Sequence, residues 1–462
     1  MRLFSFLICV PMFRSGSRII KYITAIGIFY FCFFIFAFSA ASALTLSESI
    51  EIALAKNPQI VAAQHKVKAA TGKLGQARSS IIPHISLEGA FGKIYQESPT
   101  IDFSIPGMPT MEGLSLYPDE AADSTSYAFS LKQPLFTGGK IFRSLRMANA
   151  GYHIANEDFR KAQNEVTYNV TSAYYNVLKA EKMVALTKEG MDTLKKHLKQ
   201  VEMFHKAGVV TKADVLRVET ELANLKQAEI QARNGLKLAK AAFNSLLGKN
   251  LSEDVSLSPE ILTAEEKGVD SDYLLSTAYS FRPEWKAFKL GKKIGEDSVG
   301  LAYSGYFPNL AFMGSTGKTI TDYPAAGTKY DLDSWRLMVA GSWNLFDGFE
   351  TPNKVLEAHA NLEALKAQEQ LIKDGVALEV NSAHLDLESA SERVAAAEVA
   401  ENLAKRSLHY AEVNFATHID TSLSVLDAEA ALHKAQTNLW SAKYDVELAK
   451  AKINKAVGTN IL

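Results

Sequence analysis

Few residues in this chain are spaced for chemistry. The ten histidines are scattered, and the His-Glu-x-x-His pattern of a zinc hydrolase does not occur. Met203, His205 and His418 lie where helices are expected to end. The helix dipole accounts for histidines there, so no metal site is expected. Thr137-Gly138-Gly139-Lys140 carries the glycines and lysine of a phosphate loop without its full Gly-x-x-x-x-Gly-Lys-Ser/Thr spacing, and reads as a strand-to-helix turn. Asp214 follows Thr211 by three residues, the spacing of a capping box. Cys9 and Cys32 are the only cysteines. With no nucleophile motif, acid–base cluster or cofactor signature, the chain reads as a non-enzyme without cofactors, and its function has to come from its architecture.

The bulk properties narrow the class. Lys plus Arg number 50 and Asp plus Glu 51, a balance that argues against binding nucleic acid. Arg14, Arg18 and Lys21 precede an apolar run from Tyr22 to Phe38, followed by Ser39-Ala40-Ala41-Ser42-Ala43. A positive start, an apolar middle and an Ala-x-Ala end predict a signal peptide over residues 1–43, cut before Leu44; an uncut anchor is the alternative. Both cysteines fall in this leader, so the mature protein is expected to contain no thiol. Neither cysteine follows the small residue that bacterial lipid attachment requires.

The remainder is two copies of one unit. Pro83-His84-Ile85-Ser86-Leu87-Glu88-Gly89 matches Pro308-Asn309-Leu310-Ala311-Phe312-Met313-Gly314 at a shift of 225, and Leu135-Phe136-Thr137-Gly138 matches Leu345-Phe346-Asp347-Gly348 at a shift of 210. The 15-residue difference falls between Lys93 and Leu135, where Pro99, Pro106, Gly107, Pro109 and Pro118 predict an exposed loop. The first repeat spans 44–248, a linker wrapping the outside spans 249–271, and the second repeat spans 272–462.

Each repeat reads helix, strand, strand, long helix, helix. Thr45-Leu46-Ser47-Glu48 opens a first helix running towards Ile81. Apolar alternation predicts strands at about 84–95 and 125–136, and again at about 309–318 and 334–346. Such strands suit a transmembrane barrel with a wet lumen, with Tyr95, Tyr127, Trp335 and Trp343 as lipid-facing girdle residues. A soluble β-sandwich alternates in the same way. Four strands cannot close a barrel, and an open edge in lipid is forbidden, so a membrane reading requires several chains to share one barrel.

Proline-free stretches predict helices at about 141–206 and 211–247, then 352–416, opened by Thr351-Pro352, and 421–457; the first is about 95 Å long. The last carries a heptad, with Val425, Leu432, Leu439, Val446 and Ile453 on one track and Ala428, Ala435, Ala442, Ala449 and Ala456 on the other. A seam of alternating large and small residues favours helices packed side by side in sheets. The competing reading is a structural periplasmic coiled-coil scaffold without channel activity.

The ordered, duplicated set resembles the TolC, or outer membrane efflux protein, family. The residues that carry it are the Pro83 and Pro308 strand starts, Gln133-Pro134-Leu135-Phe136-Thr137-Gly138-Gly139 with its echo Trp343-Asn344-Leu345-Phe346-Asp347-Gly348, and the turn from Gly208 to Leu216. The resemblance covers essentially the whole mature chain. It implies a membrane α+β protein: a homotrimeric twelve-stranded transmembrane β-barrel, four strands per chain, continued by a periplasmic α-helical barrel of coiled-coil hairpins. It implies residence in the outer membrane and an exit duct for efflux or type I secretion. The implied partners are a periplasmic adaptor and an inner-membrane RND or ABC transporter. It also implies a constriction at the helix tips, where the matching acidic positions are Asp214 and Asp427. His418 stands where the family commonly has glycine, Asp420 where some members bridge the tip helices with a basic residue, and Ser424 where some have another aspartate. With Thr421 these are the gating candidates, and contacts at this tip are expected to differ from an arginine-held network.

Overall fold

The computed structural model describes residues 43–259 and 270–461. The leader and the middle of the linker lie outside these residues. The first repeat forms α1 (Leu46–Lys56), α2 (Pro58–Ser79), β1 (His84–Ile94), a small hairpin of β2 (Thr100–Phe103) and β3 (Met111–Ser115), β4 (Ala122–Thr137), α3 (Lys140–Lys206) and α4 (Lys212–Leu246). The second forms α5 (Ser271–Phe281), α6 (Pro283–Tyr303), β5 (Asn309–Tyr323), β6 (Thr328–Ser342), α7 (Glu350–Ala416) and α8 (Ser422–Val457).

Several boundaries differ from the sequence reading, among them β5, which runs to Tyr323, and β6, which begins at Thr328. The opening helix is broken at Asn57-Pro58. The residue before a proline is pushed out of helical geometry, and Asn57 instead caps α2, accepting from the Gln59 N–H at 2.8 Å. The second repeat breaks in the same way at Arg282-Pro283. The last strand ends at Ser342, leaving Trp343 and Leu345 beyond it. Its partner β5 begins at Asn309, opposite Ser342. Pro308 before it has no N–H to extend the ladder.

The four long strands form one antiparallel sheet in the order β1-β4-β5-β6. One extra residue, Leu135, bulges where the β4–β5 register shifts between Pro134 and Phe136. The inserted residues of the first repeat form the separate β2–β3 hairpin. Among the described residues no other element packs against the sheet as a second layer, so large apolar side chains remain bare: Phe91 is 81% exposed and Trp335 77%. Strands β1 and β6 are its free edges.

Below the sheet run two helices of 67 residues each, α3 and α7, each about 100 Å long. Near the sheet, α3 lies between α2 and α6, and α6 also packs on α7. In the far half, α3 lies between α4 and α8, and α8 packs on α7. One chain is thus a layer of helices under a four-stranded sheet. Short α1 packs on the outside of α3. The segment after α4 joins it: Leu44 pairs with Leu257, and the Tyr174 hydroxyl donates to Ser258 O at 2.7 Å. The duplicate is α5, whose Leu274 and Ala278 bury against Val376, Val380, Ile453 and Ala456. All five alanines of the final heptad track are buried, letting α8 approach its neighbours closely. Among the described residues no helix is long and apolar enough to cross a membrane.

Candidate functional site: the hairpin tips

Each pair of long helices ends in a five-residue turn, and the two turns are built alike at their first half. At the end of α3, Val209 N–H donates to Phe204 O at 2.9 Å and Gly208 N–H to His205 O at 2.9 Å. At the end of α7, Ile419 N–H donates to Asn414 O at 2.8 Å and His418 N–H to Phe415 O at 3.1 Å. Both are Schellman motifs, which need a left-handed residue just past the helix. Gly208 supplies it with φ 77°, and His418 with φ 59°. The histidine takes the strained conformation and lays its ring against Phe204, centroids 4.7 Å apart.

The second halves differ. In the first turn Thr211 and Asp214 form a reciprocal capping box: Asp214 N–H donates to Thr211 Oγ1 at 3.3 Å and Thr211 N–H to Asp214 Oδ2 at 3.0 Å. The Thr211 hydroxyl also donates to that carboxylate, at 2.7 Å. These bonds hold the Asp214 carboxyl below its usual pKa, the hydroxyl contributing most. In the second turn Ser424 replaces the acid, and Thr421 makes no capping bond to the helix N–H groups. Asp420 takes over, accepting from Thr421 N–H at 2.7 Å and from the Ser424 hydroxyl at 2.5 Å. The Ser424 bond is the main cause of its lowered pKa.

The gating candidates are therefore not one cluster. His418, Asp420 and Thr421 share one turn, and Asp214 is engaged by its own cap in the other. Asp427 stands exposed one turn and a half into α8, and among the described residues it makes no hydrogen bond or ion pair. Its equivalent in the first repeat, 210 residues earlier, is Arg217.

Near the tips, aromatic rings help to join the two hairpins. Phe204 of α3 meets Phe415 of α7 at 5.4 Å between centroids, and His197 of α3 meets Phe415 edge-on at 5.1 Å. The His197 Nε2 bonds the Ser422 hydroxyl at 3.0 Å, tying α3 to the start of α8. His197 is only 6% exposed, and burial lowers its pKa to about 4. It is therefore a neutral imidazole at physiological pH. Around it pack Val201, Val215, Val218, Val425 and Leu426. Sequence reasoning missed His197, Ser422 and the two phenylalanines. Only the heptad phase of Val425 beside Ser422 hinted at this packing.

At the other end, the girdle residues divide. Tyr95 follows β1 and donates to Asp119 Oδ1 at 2.8 Å. Trp343 lies past β6 at the helix end, its indole N–H donating to Tyr306 O at 3.1 Å. Tyr127 is on β4, opposite Gly89 and Lys318. Trp335 is not a rim residue. The registers set it level with Thr316, Phe129 and Leu87, at mid-height of the sheet, in an apolar patch with Ile85, Leu131 and Leu337. No group of three or more metal-ligating side chains occurs among the described residues.

A sheet without a second layer, standing on a sheet of long helices, is the form found in known relatives. The sequence matches the family described as outer membrane efflux protein over residues 49–249 and 274–459, one match per repeat. It is 24% identical to the outer membrane protein TolC of Escherichia coli over 91% of this chain and 83% of that one. It is also 24% identical to the alkaline protease secretion protein AprF of Pseudomonas aeruginosa, over 90% of this chain and 85% of the other. The fold matches the crystal structure of VceC from Vibrio cholerae with a TM-score of 0.76 at 17% identity, covering 90% of this chain and 96% of that one. It matches the outer-membrane channel OprN with a TM-score of 0.74 at 21% identity, covering 89% of each. Covered by that family in both of its halves, the chain belongs to the outer membrane efflux proteins, a family of channels seated in the outer membrane with their helical part in the periplasm.

Proposed function

We propose that three copies of this chain form a passive exit duct, closed at the helix tips and opened when a periplasmic adaptor and an inner-membrane pump, of the RND or ABC class, engage them. The observation that carries the reading is the incompleteness of one chain. Strands β1 and β6 are unpaired edges, and the apolar side chains of the sheet have no partner layer. Helix α7, at one edge of the helical layer, exposes Leu371, Leu378 and Leu385 at heptad spacing, and α4 at the other edge exposes Ile230 and Leu238. Edge pairing in lipid removes the open strands, and helix pairing covers the stripes. The resemblance of the sequence to trimeric ducts supports three as the number of copies.

A passive duct requires no catalysis of this chain, and the energy for transport comes from the pump. The tips are the moving part. Ordered inward, three copies of Asp427 face one axis and favour cations there. The aromatic contacts of Phe204 with Phe415 and His418 hold the two hairpins of each chain together in the closed form.

The test is the mass and conductance of the purified mature protein. Three chains per particle in detergent, with a small cation-preferring conductance in a planar bilayer, are expected. A detergent-independent monomer without conductance would leave the scaffold reading instead.

A further inference from the structure

Helix α8 carries a polar stripe that its heptad does not require. Glu429, His433 and Thr437 are spaced four apart on one face, and each has a buried polar atom with no hydrogen-bond partner: Glu429 Oε1, His433 Nε2 and Thr437 Oγ1. Three such atoms in line on one helix are uncommon, since buried polar groups are nearly always paired. The stripe lies in the seam between the two hairpins. A cavity of about 50 Å³ there is lined by Glu189, Gly190 and Thr193 of α3, by Leu408 of α7, and by Glu429, His433 and Gln436 of α8. The His433 ring packs over Gly190, its Cδ2 at ordinary contact distance, 3.5 Å, from where a Cβ would stand. The seam runs between α3 and α8, flanked by the inner sides of α4 and α7, so a neighbouring copy pairing on the outer sides of those edge helices leaves it as it is.

Among the described residues, the charges that act on Glu429 are those of Glu412 and Glu221, both of its own sign. Glu221 comes from α4, Glu412 from α7 and Glu189 from α3, and its own helix offers His433. We infer that this seam is a proton-linked latch: it closes on Glu429 as a neutral acid and parts when that carboxyl ionises and takes up water. The inference rests on the hairpins being the moving part of the duct. Burial, with the like charges of Glu412 and Glu221, raises the Glu429 pKa to about 7. Parted and hydrated, the carboxyl returns towards its ordinary value of 4.5. The closed seam is therefore unpenalised below that value and loses ground as pH rises from there to about 7, levelling off above. His433 works in the opposite sense. Burial lowers its pKa, so a parted seam gains a proton there on acidification. The two groups offset each other in mild acid, and the Glu429 effect dominates towards neutral pH.

The mature chain's lack of cysteine gives a clean probe. Nitroxide labels on Lys196→Cys in α3 and Ala430→Cys in α8, both exposed positions, report the seam by pulsed dipolar distances in detergent, with no ion flow required. The ratio of parted to closed populations should rise from pH 6 to pH 8. Glu429→Gln, isosteric with the neutral acid, should remove about a tenfold rise over that range relative to wild type. His197 is shared by both proteins and cancels in the comparison. Glu429→Leu should remove the rise in parted population towards pH 8 while leaving the acid response of His433 in place, and His433→Gln should steepen the wild-type profile. Identical profiles for wild type and Glu429→Gln overturn the inference, as does a single distance at all pH in the wild type. The conductance of the duct is measured separately, so either reading can fail alone.

Discussion

Gly208 and His418 occupy one and the same position, 210 residues apart, both left-handed at the end of a long helix, with φ 77° and 59°. Only the histidine pays in strain, since a side chain in this region costs about 1–2 kcal/mol, and only the histidine gains a contact, the ring of Phe204. Replacing His418 by Ala keeps the strain and loses the ring, whereas Gly loses both. His418→Ala should therefore be less stable than His418→Gly by about 1 kcal/mol. Hydrogen exchange of the amides from His418 to Asp420 reads this locally.

The two caps make opposite predictions for one residue type. Thr211 binds the Asp214 N–H and the Asp214 carboxylate, while Thr421 caps nothing with its side chain. Thr211→Ala should cost about 1 kcal/mol, and Thr421→Ala close to none. In the second turn the sensitive residue is Asp420. Faster amide exchange in the first turn of α4 for Thr211→Ala, beside an unchanged α8 for Thr421→Ala, is the expected pattern; equal effects would contradict the geometry.

His197 gives the tips an acid limit. Its ordinary pKa of 6.5 is lowered to about 4 by burial. Packing that keeps it neutral is fully effective above 6.5 and weakens as pH falls from there to about 4. Protonation on parting would be worth about 3 kcal/mol over that window. Thermal unfolding of the tips should become steeply acid-sensitive below neutrality in the wild type. His197→Gln should flatten the profile while starting from a lower stability at pH 7.

Conductance separates charge from packing. Asp427→Ala should reduce cation preference, because that carboxylate is exposed and unpaired. Phe204→Ala should raise conductance without altering preference, because it removes aromatic contacts between the hairpins and no charge. If both variants shift selectivity alike, the division drawn between these two residues is wrong.

Most of the scaffold was legible because duplication doubles every signal. The shift of 210 that pairs Leu135 with Leu345 also pairs Gly208 with His418, so two breaks in two long helices could be read where one glycine marks only the first. The alternating residues located β1 well, whereas β5 runs five residues further and β6 starts six residues earlier than the alternation suggested. The Asn57-Pro58 break was written in the dipeptide and passed over. Trp335 could not be assigned a height, since height is a matter of register between strands, and register depends on where Pro308 ends the ladder. At the tips, the Asp214 cap was readable from a spacing of three. The bond from His197 to Ser422 was not, because it joins residues 225 apart across two helices. The stripe at Glu429 and His433 was hidden because both flank the heptad tracks they follow by one residue.

The unpaired edges of the sheet have a last consequence, for the cell rather than the channel. In the proposed duct the chain is completed by its copies, so its stability is set by how many copies are nearby. Its folding in the membrane obeys mass action with a steep order in chain number. Scarce expression would leave single sheets with bare Phe91 and Trp335, open to aggregation and proteolysis. Abundance, rather than any residue substitution, then decides whether a functional particle exists.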